Sequence, residues 1–260
     1  MKILVMAGHT ASGNLGCGAE GLINESNETR KVAPKVVEYL KELGEDATYI
    51  KLDKASTSSY LYDQVKLANS KGKFDCMVQI HFNAGSSDPN SNTTGTETYY
   101  RSDAGKVFSD RVNAKLSTLF KDRGSKGSKP NLYWLKNTTS PAVLIEICFV
   151  DDADDVRIYQ ENFDKVCKLI AEGLANKTLP VKAPTQNIVS NNKYTNGAYN
   201  RKARTTENLN LRTGRGTSYK IIKTIPKGTE FTVNYCLDNW FSTYDFGQLG
   251  YLSGSYIELI

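Results

Sequence analysis

Phe74-Asp75-Cys76-Met77-Val78-Gln79-Ile80-His81-Phe82 decides how this chain is read. It is a near-continuous apolar run of strand length, the pattern left when a strand is covered on both faces. Such strands belong to sheets sandwiched between helices. The sequence on either side agrees. Residues 2–7 and 143–150 are further apolar strands, and 95–101 is a more polar one. Residues 27–43 carry Val32, Ala33, Val36, Val37 and Leu40 on one helical face, with Gly44 as the stop. Residues 60–71, 104–120 and 156–175 repeat the helical spacing, and 131–136 reads as a short strand. Strands alternating with helices predict an α/β fold: an open, mostly parallel sheet flanked by helices.

The chain has 260 residues, enough for two domains. Residues 205–260 show no helical period. Short β-rich runs at 209–212, 219–225, 229–235, 239–244 and 250–252 are separated by Gly and Pro, which predicts a small all-β barrel. Residues 179–204 hold two prolines, several asparagines and no apolar period, and read as a tether. The expected organisation is 1–178, a linker at 179–204, and 205–260.

Charge divides the same way. From Pro180 onward there are ten Lys or Arg and five Asp or Glu, so the whole net charge of +5 sits there. That asymmetry points to an anionic partner for the tail. The surplus is small for nucleic-acid binding, and no nucleic-acid motif accompanies it. Five cysteines, an odd number with no CxxC pair, argue against disulfides and against a cysteine metal site. The apolar run at the amino terminus is too short for a signal peptide, and no stretch has the length of a membrane span. The expectation is synthesis in the cytoplasm without an export signal.

The only two histidines, His9 and His81, each end a predicted strand. Ligands of open α/β sheets gather beyond the carboxyl ends of strands, so both imidazoles face one crevice. A lone histidine is more often structural than ligating. Two at matching strand ends favour a metal site, which needs a third ligand. Glu20, Glu25 and Glu28, in the loop and helix start after His9, are all candidates. Glu146 interrupts the otherwise apolar stretch 142–150. A carboxylate there is costly unless a cation or another partner stands near, which suits a general acid/base. A cysteine–histidine pair built on Cys17 and His81 would leave His9 and Glu146 without a purpose.

Ala7-Gly8-His9, Gly21-Leu22-Ile23-Asn24-Glu25, Ile80-His81-Phe82-Asn83 and the segment Pro141 to Phe149 around Glu146 resemble, in order and spacing, the motifs of zinc-dependent N-acetylmuramoyl-L-alanine amidases. Gly95 to Tyr100 resembles that family's central strand. The resemblance covers residues 1 to about 177 and is greater toward phage-type endolysins with clostridial targets. It departs at Thr10-Ala11-Ser12-Gly13, where the family commonly has Gly-Gly, and in Glu25 lying one residue further from Gly21-Leu22. The resemblance implies one Zn²⁺ held by His9, Glu25 and His81, Glu146 as the catalytic carboxylate, and Asn83 near the substrate. It also implies release to the cell wall by a separate pore. Residues 208–219, with Trp240 and Gly250-Tyr251-Leu252, resemble a bacterial SH3-type wall-binding domain. Trp240 and Tyr251, with Tyr219, Tyr244 and Tyr256, are the aromatics available to a wall-facing groove. The partners implied are peptidoglycan and anionic wall polymers. Two rival readings are a zinc carboxypeptidase or endopeptidase acting on the stem peptide, and an inactive wall-binding protein.

Overall fold

The computed structural model describes residues 1–85, 93–127, 132–179, 193–217, 219–247 and 249–260. The chain forms two compact units, 1–180 and 181–260.

The first unit is a six-stranded sheet with helices on both faces. Its elements are β1 (Lys2–Ala7), α1 (Glu25–Glu42), β2 (Asp46–Ile50), α2 (Tyr60–Asn69), β3 (Cys76–Asn83), β4 (Thr96–Tyr100), α3 (Asp103–Leu116), β5 (Asp122–Gly127), α4 (Tyr133–Asn137), β6 (Ala142–Phe149), α5 (Ala153–Glu161) and α6 (Phe163–Ala175). The strand order is β2-β1-β3-β6-β4-β5. All neighbours are parallel except β6 and β4.

Side chains alternate across the strands into two cores. Ile3, Val5, Val78, Ile80, Val143 and Ile145 face α1, α3, α5 and α6. Leu4, Met6, Met77 and Leu144 face Val65 and Ala68 of α2 and Trp134 and Leu135 of α4. Helix starts are capped where the sequence offers a short polar side chain: Asn24, Ser59, Ser102 and Asp152 each accept from a main-chain N–H in the first turn.

Two expectations for the first unit need correction. Of the strand expected over 131–136, residue 131 lies outside the described residues and 132–136 do not form a strand. Tyr133–Asn137 is one helical turn and a half, anchored by the Trp134 indole N–H donating to Val143 O at 3.2 Å. The helix expected over 156–175 is two helices, broken at Asn162. β2 and β5 carry too little apolar alternation to be seen in the sequence.

The second unit is one seven-stranded antiparallel sheet in the order β13-β7-β10-β11-β12-β8-β9. Its strands are β7 (Gly197–Thr205), β8 (Leu209–Arg212), β9 (Ile221–Ile225), β10 (Glu230–Leu237), β11 (Trp240–Thr243), β12 (Gly250–Ser253) and β13 (Ile257–Leu259). Leu211, Phe231, Val233, Phe241, Leu252 and Ile257 form its core. Of the expected tether 179–204, residues 180–192 lie outside the described residues, and both ends of the segment pack or pair. Leu179 is buried in the first unit, its N–H donating to Glu172 Oε1. At the other end, Tyr194 and Tyr199 pack edge-on against Phe241 at 5.0 and 4.9 Å, and β7 pairs with β10 and β13. Polar residues hide β7 because only Ala203 and Thr205 are buried in it. All five cysteines are free, and only Cys17 is exposed.

Candidate metal centre

The carboxyl ends of β1 and β3 bring His9 and His81 together, with ring centroids 4.7 Å apart and nearly perpendicular. Glu25, the first residue of α1, reaches between them. Its Oε2 lies 3.2 Å from His9 Nε2 and its Oε1 3.0 Å from His81 Nδ1. The carboxylate is also fixed by main-chain donors, Ala19 N–H to Oε2 at 2.9 Å and Phe82 N–H to Oε1 at 3.0 Å. One donor atom from each of His9, Glu25 and His81 falls within a cluster no wider than 4.8 Å.

The local backbone is shaped around this cluster. His9 has φ of 60°, the left-handed region that non-glycine residues seldom enter. Four groups hold the turn there. Arg30 Nη2 and Gln64 Nε2 both donate to His9 O, at 3.2 and 3.1 Å. Thr29 Oγ1 and Arg30 Nη1 donate to Gly8 O. Arg30 spends its remaining donors on Ser26 O, Leu52 O and Asp53 Oδ1. His9 Nδ1–H donates to Gly16 O at 3.1 Å, which sets the tautomer and turns Nε2 toward Glu25. Gly18 is required by close approach, since a β-carbon there would lie 2.5 Å from Glu25 Oε2.

Electrostatics follow from burial and pairing. Burial pushes the Glu25 carboxyl upward, but the two imidazoles outweigh it and hold it well below the usual carboxylate range. Burial lowers His81. It acts the same way on His9, where the Glu25 carboxylate prevails and the net shift is upward. His81 Nε2 is shielded from solvent and has no hydrogen-bond partner among the described residues. An orphaned imidazole nitrogen beside two imidazoles' shared carboxylate fits a bound cation. The donor set, two nitrogens and one carboxylate oxygen, is that of a catalytic metal site with a place left open.

Glu146 stands beside this cluster. In register it is paired with His81 on β3 and with Glu97 on β4. Directly paired residues project to the same face, so His81, Glu146 and Glu97 form a row across three strands. They occupy the α2/α4 face, at the end where those helices stop covering it. Glu146 Oε2 is shielded and unpartnered among the described residues. Burial pushes this carboxyl well above the usual range, and the negative charges of Glu25 and Glu97 add to the effect. Glu97 is the opposite case. Burial raises it, but Lys126, Tyr99 and Arg123 bring it below its ordinary value. Its Oε1 accepts from Asn83 Nδ2 at 2.7 Å and Tyr99 OH at 2.9 Å, and its Oε2 from Arg123 Nε at 3.0 Å and from Lys126 Nζ.

The structure therefore gathers His9, Glu25, His81 and Glu146, and sorts the other candidates. Glu20 is exposed and outside the cluster. Glu28 is structural, accepting from Tyr159 OH and Lys31 Nζ. Asn83 lies at the rim with both ends of its amide engaged, by Glu97 and by Ala84 N–H. In the second unit, Tyr251 is only 8% exposed and lies under the Arg215 guanidinium at 4.6 Å, while Trp240 is partly buried in β11. Tyr219, Tyr244 and Tyr256 are the exposed aromatics. Arg30, Gln64, Glu97 and Arg123 were not singled out by sequence. For Glu97 a signal exists: an acid on the same strand face as Tyr99.

Two histidines at strand ends and a carboxylate at a helix start, beside a buried acid with no partner among the described residues, are the arrangement of metal-dependent hydrolases. The sequence profile of N-acetylmuramoyl-L-alanine amidases matches residues 3–176, and that of the bacterial SH3 domain matches residues 207–258. The chain belongs to the N-acetylmuramoyl-L-alanine amidase family. An uncharacterized protein of Clostridium perfringens is 34% identical over 183 residues, 69% of this chain and 53% of that one. The endolysin of Bacillus phage SPP1 is 32% identical over 180 residues, covering 65% of this chain and 63% of the endolysin. The chain spans about half the length of the first curated relatives it matches. Among solved structures, the catalytic domain of CD27L endolysin targeting Clostridia difficile is 30% identical with a TM-score of 0.61, covering 68% of this chain and 98% of that domain. The catalytic domain of CwlV, from Bacillus (Paenibacillus) polymyxa, is 29% identical with a TM-score of 0.55, covering 68% of this chain and 97% of that domain.

Proposed function

We propose that the first unit hydrolyses the amide bond between N-acetylmuramic acid and L-alanine in peptidoglycan, with one Zn²⁺ held by His9, Glu25 and His81. The observation that carries this reading is the pairing of the three-donor cluster with the orphaned Glu146 carboxylate in the same row of the sheet. A zinc ion bound there supplies a Lewis acid that acidifies water and polarises the scissile carbonyl.

The protein's own groups do the rest. Glu146 takes the proton as water oxygen bonds to the lactyl carbonyl carbon, and delivers it to the alanine nitrogen as the C–N bond breaks. The products are a lactyl carboxylate on the glycan and a free amine on the stem peptide. Glu25, fixed by two main-chain N–H groups, keeps both imidazoles oriented.

The second unit is read as the wall-binding part. Its exposed Tyr219, Tyr244 and Tyr256 and its positive charge suit carbohydrate or peptide stacking together with attraction to anionic wall polymers. Action at the cell wall follows from this reading. Among the described residues no helix is long and apolar enough to cross a membrane.

The test is product analysis on purified wall. New L-alanine amino termini with intact glycan are expected, lost on chelation and restored by zinc. New amino termini from within the stem peptide alone would replace amidase by endopeptidase.

A further inference from the structure

The row that begins at His81 does not end at Glu97. Beyond it, on the edge strand β5, Arg123 meets Glu97 through Nε. The Arg123 guanidinium is also stacked over the Phe149 ring, 4.9 Å from its centroid, and Phe149 is itself buried. These two contacts fix the plane of the guanidinium while using only one of its nitrogens. Neither Nη atom has a hydrogen-bond partner among the described residues. The Arg123 side chain is one-third exposed, so this edge is open to solvent.

Lys126, two-fifths exposed on the same strand, shares the Glu97 carboxylate and lies 5.9 Å from the Tyr99 ring centroid. Arg123 and Lys126 are two cations sharing the one Glu97 carboxylate at ion-pair distance, with the Asp155 carboxyl in longer electrostatic reach of Arg123. A planar guanidinium with both Nη groups unpaired among the described residues, next to a second cation, is a receptor for a carboxylate.

Position says which carboxylate. The backbones of Glu146 and Arg123 are two strand spacings apart, about 10 Å, and the guanidinium leans back over Phe149 of β6. An extended peptide covers about 3.4 Å per residue, so that gap spans two to three residues from the scissile bond. The substrate of the proposed reaction has a neutral glycan on one side of that bond and a peptide bearing carboxyl groups on the other.

We infer that Arg123, supported by Lys126, is a specificity-determining residue that binds a free carboxylate on the second or third residue of the stem peptide. The inference rests on the amidase reading. Glu97 then acts as a positioning residue, turning the guanidinium edge outward while it holds Asn83 and Tyr99 at the same rim.

The experiment uses the full chain loaded with zinc and two synthetic muramoyl-tripeptides. They differ only in whether the carboxyl groups of the second and third residues are free or amidated. The wild type is expected to favour the free acid in kcat/KM by roughly tenfold or more, mostly through KM. Arg123→Gln is expected to bring the two substrates within about twofold, and Arg123→Lys to restore part of the preference. Apparent melting temperatures of the variants separate a specificity effect from loss of fold, and the substrate ratio is internal to each protein. A wild type that cleaves both tripeptides equally overturns the inference, as does an Arg123→Gln variant that keeps the preference. A wild type that cleaves neither, yet still cuts within the stem of whole wall, overturns the amidase reading instead.

Discussion

Gly8 stands where His81 leaves no room for a side chain: a β-carbon on Gly8 would lie 2.5 Å from His81 Cε1 and 2.4 Å from Ile80 O. The glycine between strand β1 and its histidine is therefore part of the geometry of the candidate metal centre. Gly8→Ala has to move the His81 ring or the end of β3. Metal affinity should fall roughly 10- to 100-fold, as when the groups that orient a ligand are disturbed. Competition with a chromophoric chelator measures it, and unchanged affinity would show that β3 yields without disturbing the ring.

Arg30 holds the left-handed turn at His9 with its whole guanidinium. Lysine keeps the charge but cannot span the carbonyls of Gly8, His9, Ser26 and Leu52 together with Asp53. Arg30→Lys is expected to weaken metal binding about tenfold. The far-ultraviolet circular dichroism should stay unchanged. Wild-type affinity in this variant would assign the turn to Gln64 and Thr29 alone.

Glu146→Gln should bind metal normally and lose wall hydrolysis by about 10²- to 10⁴-fold, the usual contribution of a positioned proton carrier. Gln also replaces an acid whose ionisation burial opposes, so the variant should unfold at or above the wild-type temperature. Turbidity clearing of cell walls and thermal scans read the two effects separately. Retained lysis would take Glu146 out of the mechanism.

Asp155 supplies a pH dependence away from the metal. Burial raises its carboxyl from an ordinary 3.8 to about 6, against hydrogen bonds from the Gly95 and Phe149 amides. An acid held above its ordinary value binds its proton more tightly in the folded chain. Its contribution is therefore fully present below about pH 4 and is lost as pH rises to about 6. Asp155→Asn keeps an oxygen for both amides and removes the charge. The difference in stability between wild type and variant should shift in the variant's favour across that window and level off above it. Denaturant titrations at several pH values test this, and a difference that stays constant with pH refutes it.

Removing residues 181–260 should leave a folded unit, since 1–180 is compact and keeps both of its cores. Cleavage of a soluble muramoyl peptide should persist, while co-sedimentation with purified walls falls. Undiminished sedimentation would place wall affinity in the first unit.

The candidate metal cluster was legible because each part leaves a mark in one dimension. Two histidines close two apolar strands, and Glu146 is an acid inside a buried run, so burial alone makes them conspicuous. Glu25 was one of three acids until its contacts separated it from Glu20 and Glu28, because a loop's course is not written in its composition. β5 escaped notice since Asp122–Gly127 lacks apolar residues, and with it went Arg123 and Lys126. The segment 131–136 misled for the reverse reason: Tyr133, Trp134 and Leu135 have strand-forming side chains, yet the Trp134 indole finds its partner only from a helical turn. β7 was absorbed into the expected linker because an edge-like strand with two buried residues looks like loop.

The reversal of direction between β6 and β4 changes what the crevice can be built from. In a wholly parallel sheet only the segments that leave strands border the ligand. Here β4 and β5 run the other way from β6, so their opening residues, Glu97 and Arg123, arrive at the same border as the closing residues His81 and Glu146. The connection from β3 to β4 consequently departs and returns on one edge. Insertions between them leave every strand register intact, so the border of the crevice has there a route to diversify that spares the row of His81, Glu146 and Glu97.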